Sequence, residues 1–227
     1  MASLPPGMNI QRILNADVLT SGGHVLGRRL AVEILEAGLR AADPYIDTRR
    51  LFRREGHYLV VGHPDFWVPG DPLQGEEVID LDAVDRIYVL GAGKGIQRAA
   101  RAVEEVLGDR LTGGQVIDKH GNPLILERIG VTLGAHPVPD EGCILGCQRI
   151  LELTRGLTAR DLVITLVSNG VSSLLTLPVP GVGLEDVRRT TQLMQIERGA
   201  HTGDLNPVSN HLDLMKGGRI SRAIQPA

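Results

Sequence analysis

Lys94 stands in Gly91-Ala92-Gly93-Lys94-Gly95, between the apolar run Ile87-Tyr88-Val89-Leu90 and the helix-forming stretch from Ile96 to Leu107. A strand that ends in a glycine turn and opens a helix presents backbone N–H groups and a partial positive charge to its surroundings. With an ammonium group inside the turn, the chemistry on offer is the binding of an anion of phosphate type, and Gly91, Gly93 and Gly95 are its backbone contributors. Two familiar loops are excluded by spacing. A dinucleotide fingerprint needs glycine where Ile96 stands, and a Walker A loop needs Ser or Thr where Gly95 stands.

Three more segments carry similar residues after apolar runs: Asp118-Lys119-His120-Gly121, His136-Pro137-Val138-Pro139-Asp140 and Ser168-Asn169-Gly170-Val171-Ser172. Ser168, Asn169, Gly170 and Ser172 sit at a helix start and offer a second phosphate or carboxylate site. Asp140 follows two prolines and reads as the N-cap of a helix beginning at Glu141. His136 reads either as a hydrogen-bonded turn histidine or as a ligand contact. Asp118 occupies the place where a dinucleotide enzyme keeps its ribose-binding acid, which favours an NAD(P)-dependent oxidoreductase.

The elements that position these segments alternate. Arg28 to Ala42 has the helical stripe Ala31, Ile34, Leu35, Gly38 and stops at Asp43-Pro44. Tyr58 to Val61 reads as a strand, and His63 to Gln74 as an aperiodic loop with Phe66 and Trp67 folded back on the core. From Asp85 the pattern predicts strands at 86–90, 115–118, 129–134 and 161–167, and helices at 94–107, 140–154, 170–177, 184–198 and 208–215. Continuous apolar strands such as Leu162 to Val167 belong in a parallel sheet covered on both faces. The expected fold class is therefore α/β: three α/β/α layers, doubly wound, with a mostly parallel, Rossmann-like sheet. Residues 1–84 are expected to form an N-terminal helix and an irregular loop segment. Ligands in such sheets bind at the carboxyl ends of the strands, where the four segments lie.

Composition narrows the partners. The net charge of −3, with acidic and basic residues interleaved, gives no electrostatic footprint for nucleic acid. No apolar run reaches the roughly 20 residues of a membrane span, and Met1 to Gly23 lacks the order of a signal peptide, so a cytoplasmic location is expected. Cys143 and Cys147, four apart on a helix face, suit core packing better than a disulfide or metal site.

The combination of Gly91-Ala92-Gly93-Lys94, Ala135-His136-Pro137-Val138-Pro139-Asp140-Glu141, the strand entering Ser168-Asn169-Gly170, and His211 followed by Lys216-Gly217-Gly218-Arg219 resembles the N-terminal domain of the glycerate 2-kinase family. Those enzymes pair it with a C-terminal MOFRL domain and were often labelled hydroxypyruvate reductases. The resemblance runs from about Arg28 to Ala227. It implies transfer of the ATP γ-phosphoryl group to the 2-hydroxyl of D-glycerate, with ATP and Mg2+, in a cleft between two domains. It also makes Lys94 the family's glycine-loop lysine.

Phosphoryl transfer asks mainly for positioning and charge neutralisation. On this reading Lys94 and Asp204 are the catalytic candidates, Asp204 receiving or orienting the hydroxyl proton. His136, Asn206, His211, Lys216 and Arg219 are the substrate-binding candidates, with Lys216 and Arg219 as counter-charges for the carboxylate. No residues are assigned to a metal. The chain departs from the family at Val171, where the family carries glycine, and at Ser209-Asn210, where it carries Arg-Lys; His201 stands where an acid is frequent. It also ends before the family's second domain. Two alternatives follow: a non-catalytic nucleotide or sugar-phosphate binding module, and the oxidoreductase that Asp118 favours. A homo-oligomer, or association with a separately encoded C-terminal domain, is expected because a lone domain exposes its docking face.

Overall fold

A computed structural model describes residues 12–70 and 74–227. At its centre four parallel strands run in the order β6-β5-β4-β7: β4 (Arg86–Ala92), β5 (Gly113–Lys119), β6 (Gly130–Gly134) and β7 (Asp161–Val167). The chain moves outward from β4 to β6 and then returns to pair β7 on the other side of β4. Reversal at β4 makes the gap between β4 and β7 the switch point of a doubly wound sheet. The strands form here because runs such as Ile87-Tyr88-Val89-Leu90 are apolar on both faces, and Ile87, Val89 and Leu90 are all buried.

Helices cover the two faces. Helix α4 (Ile96–Leu107) packs Ile96, Ala100, Val103 and Leu107 with Ile87, Val89 and Val116. On the opposite face α5 (Glu141–Leu153) places Cys143, Cys147 and Ile150 among Leu90, Ala92 and Ile117. Both cysteines are free buried thiols. Burial pushes the Cys143 thiol up to about 11 and holds both as inert core groups. Asp140 caps α5 as expected, its carboxylate accepting from the Cys143 N–H at 3.2 Å. At the strand bases Arg86 donates two hydrogen bonds to the buried Asp161, at 2.8 and 2.6 Å, tying β4 to β7.

The N-terminal segment is more regular than its composition suggests. Helices α1 (Ala16–Leu19), α2 (Val25–Ala41) and α3 (Pro44–Leu51) lead into a three-stranded antiparallel sheet, β1 (Phe52–Glu55), β2 (Tyr58–Val61) and β3 (Glu77–Asp80). Charged residues of β1 and β3 obscure the strand pattern because burial is concentrated on the face where Phe52 and Leu59 join the α4 core. Two side-chain expectations are corrected here. Phe66 and Trp67 remain 40% and 42% exposed instead of folding onto the core. The α2 stripe that includes Ile34 and Leu35 faces solvent, and α2 has no buried residue.

After β7 come a single helical turn, α6 (Val171–Leu174), then α7 (Leu184–Thr191) with a wider-pitched extension over Gln192–Glu197, α8 (Thr202–His211) and α9 (Arg219–Ile224). The helix expected at 170–177 is thus a single turn, and the one expected at 208–215 is displaced: α8 begins six residues earlier and stops at His211. Gly217 and Gly218, both at positive φ, lie in the turn between α8 and α9. Leu174, Met215 and Ile224 seat this segment on the α5 side of the sheet.

Candidate active site

The loops after β4 and β7 meet at the switch point and are stitched together. The Lys94 N–H donates to the Asn169 carbonyl at 2.7 Å, and the Ser168 hydroxyl donates to the Lys94 carbonyl at 2.9 Å. A side chain on Gly93 (φ +145°) would strike Ser168 at 2.6 Å, so glycine there allows the two backbones to touch. Asp118, 1% exposed at the end of β5, completes the seam. Its carboxylate accepts from the Gly95 N–H at 2.8 Å, the Lys119 N–H at 2.7 Å, Gln97 Nε2 at 2.9 Å and Asn122 Nδ2 at 3.0 Å.

Those contacts change the reading of the glycine loop. The N–H of Gly93 goes to the Ile117 carbonyl at 3.0 Å, that of Lys94 to Asn169 and that of Gly95 to Asp118. The backbone donors expected to cradle an anion at Gly91 to Gly95 are therefore spent on holding the loop. Gly91 lies within β4, where a side chain would meet the Leu166 carbonyl at 2.5 Å. What the turn contributes outward is the Lys94 side chain. It is exposed, forms no ion pair among the described residues, and runs across Gly170, with Cε 3.3 Å from where a Cβ on that glycine would lie.

Beside it opens a cleft of about 280 Å³. One wall is His136, Asn169, Gly170 and Ser172; Lys216 and Thr176 form another. The opposite side is Thr191, Gln195 and the Thr202, Leu205 and Ser209 face of α8. Gly170 (φ +84°) takes the left-handed conformation, and a Cβ there would meet the His136 ring at 2.6 Å. Val171 is consequently an ordinary first residue of α6, and the β-branched side chain that replaces the family's glycine meets no left-handed backbone. A helix of one turn carries little macrodipole, so side chains supply most of the polarity here.

Charge in the cleft is positive. Lys216 Nζ, on a side chain 9% exposed, donates to Asp213 Oδ2 at 2.7 Å and Thr176 Oγ1 at 3.0 Å. An ammonium group has three donors, so one is left for a ligand. Burial first, then the charges of Lys94 and Lys119, push the His136 imidazole below its ordinary 6.5. His136 is therefore neutral at pH 7. Because the unfolded chain binds this proton more readily, the stability is present above pH 6.5 and is lost as the pH falls toward the folded value. Thermal melts between pH 7 and 5.5 should show a falling Tm, and His136→Gln should flatten that slope; an unchanged slope would remove His136 as its source.

Of the residues singled out by sequence, the structure brings His136, Asn169, Gly170, Ser172 and Lys216 into the cleft, with Lys94 at its rim. The others lie elsewhere. Asp204 and His211 sit about half a turn around α8 from the Thr202 and Ser209 face, and Asn206, although it neighbours that face, does not line the cleft. His211 Nδ1 pairs instead with the Pro207 carbonyl at 2.7 Å. Arg219 turns inward to the carbonyls of Asn210, Asp213 and Lys216 and holds the glycine turn. Ser168 serves as the stitch to Lys94.

Asp118 is likewise committed to the seam, with no oxygen presented to a ribose. Sequence reasoning missed Thr176, Gln195, Thr202, Ser209 and Asp213. The spacing of Thr202, Leu205 and Ser209, and the Asp213–Lys216 pair three apart, were the available signals.

Residues 30–227 match the family described as "Domain of unknown function (DUF4147)". Glycerate 2-kinase of Pyrococcus horikoshii is 32% identical over 203 residues, which cover 86% of this chain and 42% of that protein. D-glycerate 2-kinase of Thermotoga maritima is 37% identical over 145 residues, 63% of this chain and 34% of that protein. The crystal structure of the PH0495 protein of Pyrococcus horikoshii superposes with a TM-score of 0.70 at 28% identity, covering 87% of this chain and 41% of that one. The chain thus spans about two fifths of the first of these relatives. The match over 30–227 places the chain in the DUF4147 family, where it corresponds to the N-terminal part of proteins named glycerate 2-kinases.

Proposed function

We propose that this chain is the phosphoryl- and hydroxy-acid-binding half of a glycerate 2-kinase-type phosphotransferase. The observation that carries the reading is the cleft itself, with cationic groups at Lys94 and Lys216, hydroxyls between them, and a neutral imidazole on its wall. A volume of about 280 Å³ suits a small hydroxy acid or a phosphoryl group rather than a whole nucleotide. In this arrangement the third Lys216 donor takes the carboxylate. Thr176, Ser172 and Ser209 are within the same cleft to hold hydroxyl groups. Lys94 faces the incoming γ-phosphoryl oxygens as a point charge.

His136 replaces Asp204 as the proton acceptor in this proposal. Among the described residues, it and Lys216 are the only titratable groups lining the cleft, and only His136 can accept a proton at neutral pH. Magnesium does not fit these residues. The described lining contains no carboxylate, and Asp213 is engaged by Lys216, whereas protein-bound Mg2+ is usually held by one or two carboxylates. No step is therefore routed through a metal on this chain. A full active site draws its remaining groups from the part of the longer relatives that this chain does not span.

Calorimetry of this chain with D-glycerate and with ATP tests the binding half. ADP release after mixing with the remaining part of a longer relative tests turnover. Turnover is expected, with His136→Gln lowering kcat by about 10²–10⁴. Binding without turnover in every arrangement supports the non-catalytic module instead. NADH fluorescence should not change, since Asp118 has no oxygen to offer a ribose.

A further inference from the structure

Lys119 is a second cation at the carboxyl ends of the strands, and its place follows from the alternation of β5. Ile117 points to the α5 side, where a Cβ on Gly146 would meet it at 2.5 Å, and Asp118 points to the α4 side, onto the Gly95 N–H and Gln97. Successive side chains on a strand alternate, so Lys119 returns to the α5 side. Its register partner across the parallel pair is Gly134, and a Cβ there would meet Cys143 Sγ at 2.6 Å, which marks the same face. His136 follows two residues later, and its ring meets Gly170, the residue that the Lys94 stem crosses. After burial, the charges of these two lysines are what hold the imidazole neutral.

Neither lysine is neutralised. The carboxylates nearest to Lys119 in the chain are engaged: Asp118 holds four donors of the seam, and Asp140 pairs with His120 Nε2 at 2.7 Å and accepts from the Ala135 N–H at 3.0 Å. Lys119, like Lys94, is exposed and forms no ion pair among the described residues. Two ammonium groups that converge on one neutral imidazole, with no carboxylate between them, favour a ligand carrying several negative charges. The cleft is too small for a nucleotide, so the base and sugar of one must lie outside its rim. We infer that Lys119 is a second phosphate-binding residue, which takes the β-phosphoryl group of a nucleoside triphosphate whose γ-phosphoryl group meets Lys94. The triphosphate then crosses the rim beside His136, with each ammonium acting as a point charge on one phosphoryl group. The direction of the triphosphate rests on the phosphotransferase reading, whereas the second phosphate contact does not.

Calorimetry of the full chain with inorganic tripolyphosphate, ATP, orthophosphate and D-glycerate tests this. Lys119→Met removes the charge and keeps most of the stem, and it should weaken tripolyphosphate and ATP by about tenfold or more, the loss of one charge-assisted contact. Orthophosphate, which needs only Lys94, should weaken by less than about threefold, the effect of a screened neighbouring charge. D-glycerate affinity should not change, and Lys119→Arg should keep most of the tripolyphosphate affinity. A Lys119→Met chain that binds tripolyphosphate as the wild type does overturns the inference, as does a wild-type chain that binds it no tighter than orthophosphate. An equal loss for orthophosphate also overturns it, because both lysines would then hold one phosphoryl group. The two readings fail separately. Tripolyphosphate binding that depends on Lys119, without any binding of D-glycerate, keeps the second phosphate contact and sinks the glycerate-kinase reading; D-glycerate binding without tripolyphosphate binding does the reverse.

Discussion

Lys94→Ala is expected to weaken binding of inorganic phosphate and of ATP by about 10- to 100-fold, the loss of one charge-assisted contact worth ~1.5–3 kcal/mol. In a reconstituted enzyme the same substitution should abolish measurable turnover, because the contact strengthens as charge develops on the transferred group. The physical reason is that the loop backbone is already consumed. With the Gly93, Lys94 and Gly95 N–H groups held by Ile117, Asn169 and Asp118, the ammonium is the loop's remaining means of meeting an anion. The side chain is exposed and forms no ion pair among the described residues, so its removal should leave the unfolding free energy within about 0.5 kcal/mol. Lys94→Arg should recover part of the affinity, since the charge is kept and its shape is not. Calorimetry that finds Lys94→Ala equal to wild type in both ligands would remove Lys94 from the site.

Asp118→Ala should cost about 3 kcal/mol of stability, read as a lower midpoint in urea with an unchanged slope. Four donors converge on that carboxylate, and alanine leaves the N–H groups of Gly95 and Lys119 and the amides of Gln97 and Asn122 without their acceptor. The magnitude follows from burial: the group is 1% exposed, so water does not replace the lost bonds at full value. The seam between the β4 and β7 loops should loosen with it, so phosphate affinity should fall although Asp118 touches no ligand in the cleft. Asp118→Asn should be milder in volume yet still destabilising, because its NH₂ would point at donors. A loss of less than about 0.5 kcal/mol, the range usual for surface substitutions, would show that the seam does not depend on this carboxylate.

Both outcomes bear on the choice between phosphotransferase and oxidoreductase. A ribose-binding acid must keep an oxygen free for a hydroxyl pair, whereas Asp118 spends its two oxygens on protein donors. The same position in the same fold is thus structural in this chain. The kinase reading in turn concentrates on Lys94, His136 and Lys216, which approach the cleft from three separate segments.

The parallel core was legible because β4 and β7 carry nearly continuous apolar runs and all four strands run into turns rich in glycine, proline or polar residues. That pattern, with ligands expected at the carboxyl ends of the strands, sufficed to locate Lys94, His136, Asn169 and Gly170. The sheet of β1 to β3 was not fully legible, since β1 is mostly charged and its strands are four residues long. Nor was the role of a side chain on α8 or beyond. Asp204 and Ser209 are equally polar in sequence, and only the rotation of the helix turns Ser209 into the cleft and Asp204 away. Arg219 and Lys216 are both cations near one glycine turn, yet packing directs one to backbone carbonyls and the other to the cleft wall. Local pattern therefore determined which elements exist and where the loops lie. Tertiary packing decided which donors were spent on holding those loops and which were left to meet a ligand, because hydrogen bonds in a close-packed interior are allotted by three-dimensional proximity that no linear spacing encodes.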